Sequence, residues 1–174
     1  LIGLILVGKF QMAALSRADR YGEDFPPFYL YLDEFQNITT PAISSILSEA
    51  RKYKLSLNLA HQFIGQLPDD IKNAVFGNVG NKFIHRVGPD DAKFLEQELA
   101  PVFNAADIMK IDNFNCYVKM MADNMPQKPF NMLDNNAPKG NKDQVQMLKD
   151  MSYNRYGRPR EEIEEEIARK WENQ

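Results

Sequence analysis

The chain has 174 residues, which suffices for one domain with a hydrophobic core and a short appendage. Its 44% hydrophobic and 26% charged residues exclude collagen-like, low-complexity and wholly disordered proteins. A formal net charge of −3 excludes the basic footprint of a self-sufficient nucleic-acid binder, so any DNA contact must be local or shared among subunits.

The apolar opening of the chain predicts a buried helix over residues 1–20. Lys9 and Gln11 interrupt its apolar run well short of the ~20 residues that a membrane span needs. We therefore expect no membrane span here. Because the chain starts without Met and in the middle of a helical pattern, we also expect it to be a fragment of a longer protein.

Strand-like and helix-like segments then alternate. The continuous apolar run at 28–32 predicts a strand buried on both faces. Thr40 and Pro41 predict a helix start, through a hydroxyl cap and a proline at the first helical position. The further predicted elements, in chain order, are a strand at 55–59, a helix at 68–76, a strand at 81–87 and a helix at 89–99. This order predicts an α/β fold with a mostly parallel sheet and helices on both faces.

The pattern changes after residue 100. Segments 114–121 and 128–132 predict an antiparallel edge hairpin. Turn-forming residues at 134–142 predict a linker between a domain over residues 1–133 and a charged helical tail over 143–174. Within that tail we expect two helices, at 143–154 and 160–172.

Polar side chains follow the first two predicted strands. Asp33 and Glu34 come directly after one strand, and Gln62 follows the next. Parallel strands end at one edge of a sheet, which is where open α/β folds bind ligands. Nucleotide hydrolysis uses such groups to position Mg²⁺, to polarise the attacking water and to contact the terminal phosphate. The competing interpretation is that two strands simply enter solvent at polar residues.

Three segments resemble a known family. The sequence FYLYLDEFQN (28–37) resembles a Walker B motif, and SEARKYKLSLNLAHQFIGQL (48–67) resembles the helix and sensor strand of the FtsK/HerA superfamily. Residues 78–92 resemble the strand and helix that follow in these motors. The likeness spans about residues 1–132 and points to the conjugative branch, the TraD/TraG-type coupling ATPases of type IV secretion.

The resemblance implies a RecA-like P-loop NTPase domain in a homo-hexameric ring. Such a motor binds ATP and Mg²⁺ and hydrolyses ATP to move DNA, with secretion-machine or relaxosome proteins as partners. It implies a cytoplasmic location, at the inner face of the cell membrane if upstream segments anchor it.

The same resemblance assigns roles to individual residues. Asp33 would hold Mg²⁺ through water and contact the nucleotide, Glu34 would be the catalytic base, and Gln62 would be the sensor that contacts the nucleotide. Arg51 would act across a subunit interface, where an arginine stabilises transition-state charge. Arg86 is a rival for that role, and a solvated surface arginine is the alternative for either.

A phosphate-binding loop of the form G-x-x-x-x-G-K-[ST] is missing from the sequence. GNVGNK (77–82) has the wrong spacing and lacks the Ser or Thr. Either the loop lies upstream, which we favour, or the chain is a degenerate relative. We therefore expect the chain alone to bind ATP weakly or not at all.

Two other classes of function compete with the motor. One is a non-catalytic RecA-like assembly or DNA-docking module without nucleotide turnover. The other is a flavodoxin-like binding domain, which is disfavoured because the acidic segment 33–36 would repel phosphate in the absence of a metal.

The few metal-binding residue types predict no further site. With two histidines and one cysteine, the composition offers no metal-ligand cluster, and His61 and His85 are too isolated in sequence to be ligands. Cys116 lies within a predicted strand, which indicates an inert buried thiol in a reducing compartment.

Overall fold

The computed structural model describes residues 1–20, 23–39 and 41–172, without the side chains of residues 41, 42, 50 and 51. Helices and small sheets together form the predicted α/β architecture. Contacts divide the chain into two compact units, Leu1–Asp134 and Asn135–Gln174. The expected cap at Thr40 lies outside the described residues.

The first unit opens with a helix and a β-α-β segment. Helix α1 spans Ile2–Leu15, strand β1 Phe28–Leu32, helix α2 Pro41–Glu49 and strand β2 Leu55–Leu59. Strands β1 and β2 pair in parallel, as predicted. Short 3₁₀ turns lie at Ser16–Asp19, Phe35–Ile38, Ala50–Tyr53 and Ile64–Gln66.

A second, antiparallel sheet follows in the same unit. Its remaining elements, in chain order, are α3 (Asp69–Asn78), β3 (Lys82–Ile84), α4 (Pro89–Leu99), α5 (Ala105–Met109), β4 (Asn115–Lys119), β5 (Met121–Ala122), β6 (Met125–Pro126) and β7 (Phe130–Leu133). The strand order of the sheet is β3-β4-β7, and β5 pairs separately with β6. The predicted antiparallel hairpin is confirmed by the pairing of β4 with β7.

The prediction that the third strand joins the parallel sheet is wrong. β3 pairs antiparallel with β4 and makes no pairing with β1 or β2. Its side chains alternate between exposed and buried, with Phe83 58% exposed and Ile84 6% exposed. That alternation is typical of an antiparallel strand with one covered face. The described parallel sheet therefore has two strands, and the larger sheet of a RecA-like domain stays a prediction.

Two hydrophobic clusters stabilise the first unit. One lies around the parallel pair and includes Val7, Phe35 and Ile43. The other lies around the antiparallel sheet and includes Leu95, Leu99 and Ile108, which are buried together with Ile64, Ile84, Ala92 and Ile111.

Two burial predictions are wrong. Tyr29 and Tyr31 on β1 are 57% and 73% exposed, so the strand is covered on one face, where Leu30 and Leu32 pack against the core. Helix α1 fully buries Val7 and Ala14 only, and most of its other large apolar side chains are exposed, such as Ile2 at 74% and Met12 at 71%. A continuous apolar run shows that burial is favourable, but it does not say which face finds a partner.

The second unit contains two charged helices, as predicted. They are α6 (Asp143–Tyr156) and α7 (Arg160–Glu172). Pairs of opposite charge four residues apart stabilise α7, namely Arg160–Glu164, Arg169–Glu165 and Lys170–Glu166. No helix in the described part of the chain is both long and apolar enough to cross a membrane.

Candidate active site

The carboxyl ends of β1 and β2 lie side by side. Leu32 is opposite Leu59 in the parallel pair. The ladder continues past both strands, because the Ala60 N–H donates to the Leu32 carbonyl at 2.9 Å and the Phe35 N–H donates to the Ala60 carbonyl at 3.1 Å. The segments that follow the two strands are therefore held together by backbone hydrogen bonds.

A sharp turn at Glu34 sets the direction of the side chains that follow β1. Glu34 has φ 49° and ψ 44°, the left-handed conformation that non-glycine residues adopt only when surrounding contacts enforce it. The next residue, Phe35, is fully buried and packs edge-to-face on His61, with ring centroids 5.1 Å apart. This buried ring anchors the acidic turn to the core.

The structure brings Glu34 and Gln62 into direct contact. Gln62 Nε2 donates to Glu34 Oε1, and Gln36 Nε2 donates to Glu34 Oε2. Both carboxylate oxygens therefore accept an amide hydrogen bond. These bonds, from Gln36 first and Gln62 second, hold the pKa of Glu34 below its ordinary value.

Asp33 lies at the same edge and is exposed. Its Oδ1 accepts the N–H of Glu34 at 3.0 Å. No other hydrogen bond or ion pair engages this carboxylate among the residues that the structure describes. The second oxygen has no partner among the described residues, and a hard oxygen donor on an exposed residue suits Mg²⁺ and its water shell.

Sequence reasoning missed two residues of this cluster. Gln36 was not singled out, although it lies two residues after Glu34 and bonds to it. His61 was considered only as a metal ligand, whereas it packs on Phe35. Burial lowers the pKa of His61, against the opposing charges of Asp91 and Glu34, which favours a neutral imidazole at pH 7.

Among the described side chains, neither candidate arginine joins this cluster. Arg51 belongs to the 3₁₀ turn Ala50–Tyr53, and its side chain lies outside the described part. Arg86 follows β3 in the antiparallel sheet and donates to Asn113 Oδ1 at 2.9 Å. It borders an open cavity of about 300 Å³. That either arginine acts across an interface stays a prediction.

The segment that contains the acidic turn matches a known protein family. Residues 27–112 match the family model described as the TraM recognition site of TraD and TraG. This segment belongs to the TraD/TraG family. No curated protein sequence matches the chain.

Solved structures show the same fold. The unbound bacterial conjugative coupling protein TrwBdeltaN70 matches with a TM-score of 0.60 and 14% identity, over 76% of this chain and 37% of that one. TrwB in complex with ADP and Mg²⁺ matches with a TM-score of 0.60 and 15% identity, over 76% of this chain and 36% of that one. TrwB with a non-hydrolysable ATP analogue matches with a TM-score of 0.55 and 15% identity, over 74% of this chain and 37% of that one. The chain thus spans less than two fifths of the coupling proteins it matches.

Proposed function

We propose that this chain supplies the magnesium-binding, base and sensor residues of the ATPase in a conjugative coupling protein. The observation that carries the proposal is the hydrogen bond from Gln62 to Glu34, next to Asp33, at the carboxyl edge of a parallel strand pair. Similar TrwB structures contain ADP with Mg²⁺ and an ATP analogue, which supports nucleotide binding by this fold. ATP hydrolysis would then drive DNA transfer by a homo-hexameric RecA-like ring.

Asp33 is the residue that would hold Mg²⁺. Its exposed carboxylate has one oxygen directed at the Glu34 N–H, which leaves the other oxygen for the water shell of the cation. When bound with ATP, Mg²⁺ would neutralise charge on the phosphates.

Glu34 is positioned to accept a proton from the attacking water. Its lowered pKa keeps it ionised at pH 7, as a base requires. Each carboxylate oxygen accepts one amide donor and keeps a further lone pair that can take a proton from water. Gln62 is exposed and Gln36 is partly buried, which makes Gln62 the donor that is free to move.

We infer a switching role for Gln62 from this arrangement. In one position its amide holds Glu34, and in the other it would contact the terminal phosphate and the attacking water. Gln36 stays in place, and its Oε1 atom is buried without a protein partner among the described residues. A water molecule beside Glu34 would satisfy that acceptor.

The proposal needs a phosphate-binding loop, which these 174 residues do not contain. The test therefore uses the product of the complete reading frame. Glu34→Gln should keep ATP binding and ring assembly while reducing hydrolysis by at least about 10²-fold, the scale of general-base catalysis. Glu49→Gln, at the exposed end of α2, is the matched control and should hydrolyse ATP normally. Near-normal ATP hydrolysis by Glu34→Gln would show that Glu34 is not the catalytic base.

Docking of a TraM-type protein without nucleotide turnover is the second candidate function. The description of the matched family, which names a TraM recognition site, favours it. Binding of purified TraM to the 174-residue chain in the absence of nucleotide would support docking. A complete reading frame without a phosphate-binding loop would favour docking alone, whereas a loop and Glu34-dependent hydrolysis would favour the motor.

A further inference from the structure

Three metal-ligating side chains meet at one end of the antiparallel sheet. One donor atom each from His85, Cys116 and Asp134 lies within 4.8 Å of the other two. The expectation that His85 is too isolated to be a ligand is therefore wrong. Distance along the sequence concealed the cluster, because its members come from three different strands or strand ends.

The strand register explains why the three side chains share a face. Ile84 pairs with Tyr117, so one step further along the antiparallel ladder His85 comes opposite Cys116. On the other side, Cys116 pairs with Met132, and Asp134 lies two residues beyond Met132. Residues directly opposite, and residues two apart on one strand, lie on the same face of a sheet.

Asp134 links the other two donors. Cys116 Sγ donates to Asp134 Oδ1 at 3.5 Å, and His85 Nδ1 lies 3.6 Å from Asp134 Oδ2. Cys116 is fully buried, whereas the side chain of His85 is 60% exposed. His85 also borders the open cavity of about 300 Å³, and its exposure gives the site access to solvent.

We propose that His85, Cys116 and Asp134 form a zinc-binding site. Imidazole, thiolate and carboxylate are the three ligand types that Zn²⁺ takes from proteins, and a water molecule reaching the site from the cavity would complete four-coordination. The thiolate distinguishes this site from the oxygen site at Asp33, because thiolate favours Zn²⁺ over Mg²⁺.

Binding is an exchange of a proton for the cation. The Cys116 S–H bond breaks, a sulfur–zinc bond forms, and the proton leaves to solvent. Burial and the neighbouring Asp134 charge raise the pKa of Cys116 to about 11. A thiol gives up its proton when it coordinates a metal, so zinc binding should release a proton.

The test uses the 174-residue chain with zinc chloride or cobalt chloride under reducing conditions. Zn²⁺ should raise the melting temperature, and Co²⁺ should give a thiolate-to-metal absorption band. Because Cys116 is the only cysteine in the sequence, any such band reports on this site. Cys116→Ser should abolish it.

His85→Gln is the decisive variant because the exposed side chain can be changed without disturbing the core. It should weaken zinc binding by at least about tenfold, since loss of a ligand exceeds the effect of losing an outer-shell partner. The unmodified chain is the reference for this comparison. The proposal is overturned if the unmodified chain shows neither signal, or if His85→Gln binds zinc as tightly as the unmodified chain does.

Discussion

Gln62 donates a hydrogen bond to Glu34 across the carboxyl ends of two parallel strands. The contact joins residues 28 positions apart, and the backbone bonds that Ala60 makes with Leu32 and Phe35 hold the two segments together. The strand pair therefore places an amide and a carboxylate at one point of the surface.

The first prediction concerns the ionisation of Glu34. Removing the amide in Gln62→Ala should raise the pKa of Glu34, because a hydrogen bond to the charged form is lost. Adding Gln36→Ala should raise it further. The measurement is a side-chain NMR titration of Glu34 in the 174-residue chain. Gln66→Ala, at a nearby exposed glutamine, is the control. If it shifted the pKa of Glu34 as much as Gln62→Ala does, the hydrogen bond from Gln62 would not be the cause.

The second prediction concerns the buried ring that anchors the acidic turn. Phe35→Ala should lower the free energy of unfolding by about 3–5 kcal/mol, the usual result of deleting a fully buried phenylalanine. Phe63→Ala removes a ring that is 54% exposed and should change it by less than about 1 kcal/mol. Urea denaturation of both variants gives the comparison. Similar losses in the two would show that Phe35 does not anchor the turn.

The third prediction concerns Glu98 on helix α4. Its carboxylate accepts from Lys119 at 2.6 Å and Lys82 at 3.1 Å, and its side chain is 20% exposed. Burial alone would raise its pKa, but the two ammonium groups lower it. Ionised Glu98 therefore stabilises the fold above its unfolded-state pKa, and this contribution is lost as pH falls through the lowered value.

Replacing this carboxylate tests that sign. Glu98→Gln should lower the free energy of unfolding at pH 7 by about 1–3 kcal/mol, because two ammonium groups are left without their anion. The difference from the unmodified chain should shrink below pH 4. Denaturation at several pH values measures it, with Glu49→Gln as an exposed control. A difference independent of pH would mean that charge is not the cause.

The fourth prediction concerns the arginine that we propose to act across a subunit interface. In the complete protein, Arg51→Ala subunits mixed with Glu34→Gln subunits should recover part of the ATPase activity, since some interfaces would contain both intact residues. A mixture of Arg86→Ala and Glu34→Gln subunits should show no more ATPase activity than the Arg86→Ala subunits have by themselves. If ATPase activity recovered in the mixture with Arg86→Ala and not in the one with Arg51→Ala, Arg86 would be the arginine that acts across the interface.

That Glu34 and Gln62 lie at the same edge of the sheet could be predicted from sequence, because the edge depends on strand pairing. Two apolar runs joined by a helix form a parallel pair, and parallel strands end at one edge. The hydrogen bond from Gln36 could not be predicted, because it depends on the left-handed turn at Glu34. A glutamate in the sequence does not by itself predict the left-handed conformation.

Strand β3 shows where such reasoning fails. The order of strands and helices favours a parallel sheet only when successive strands join the same sheet, and β3 instead pairs with a strand that comes later. The cluster of His85, Cys116 and Asp134 was hidden by the same error. Once β3 and β7 are placed on either side of β4, the register brings the three residues together.

Phe76 of helix α3 packs against both hydrophobic clusters of the first unit, and its ring meets that of Phe94 edge-to-face at 4.8 Å. In the described residues the two sheets share no strand pairing, so side-chain packing, including this ring contact, is what connects them.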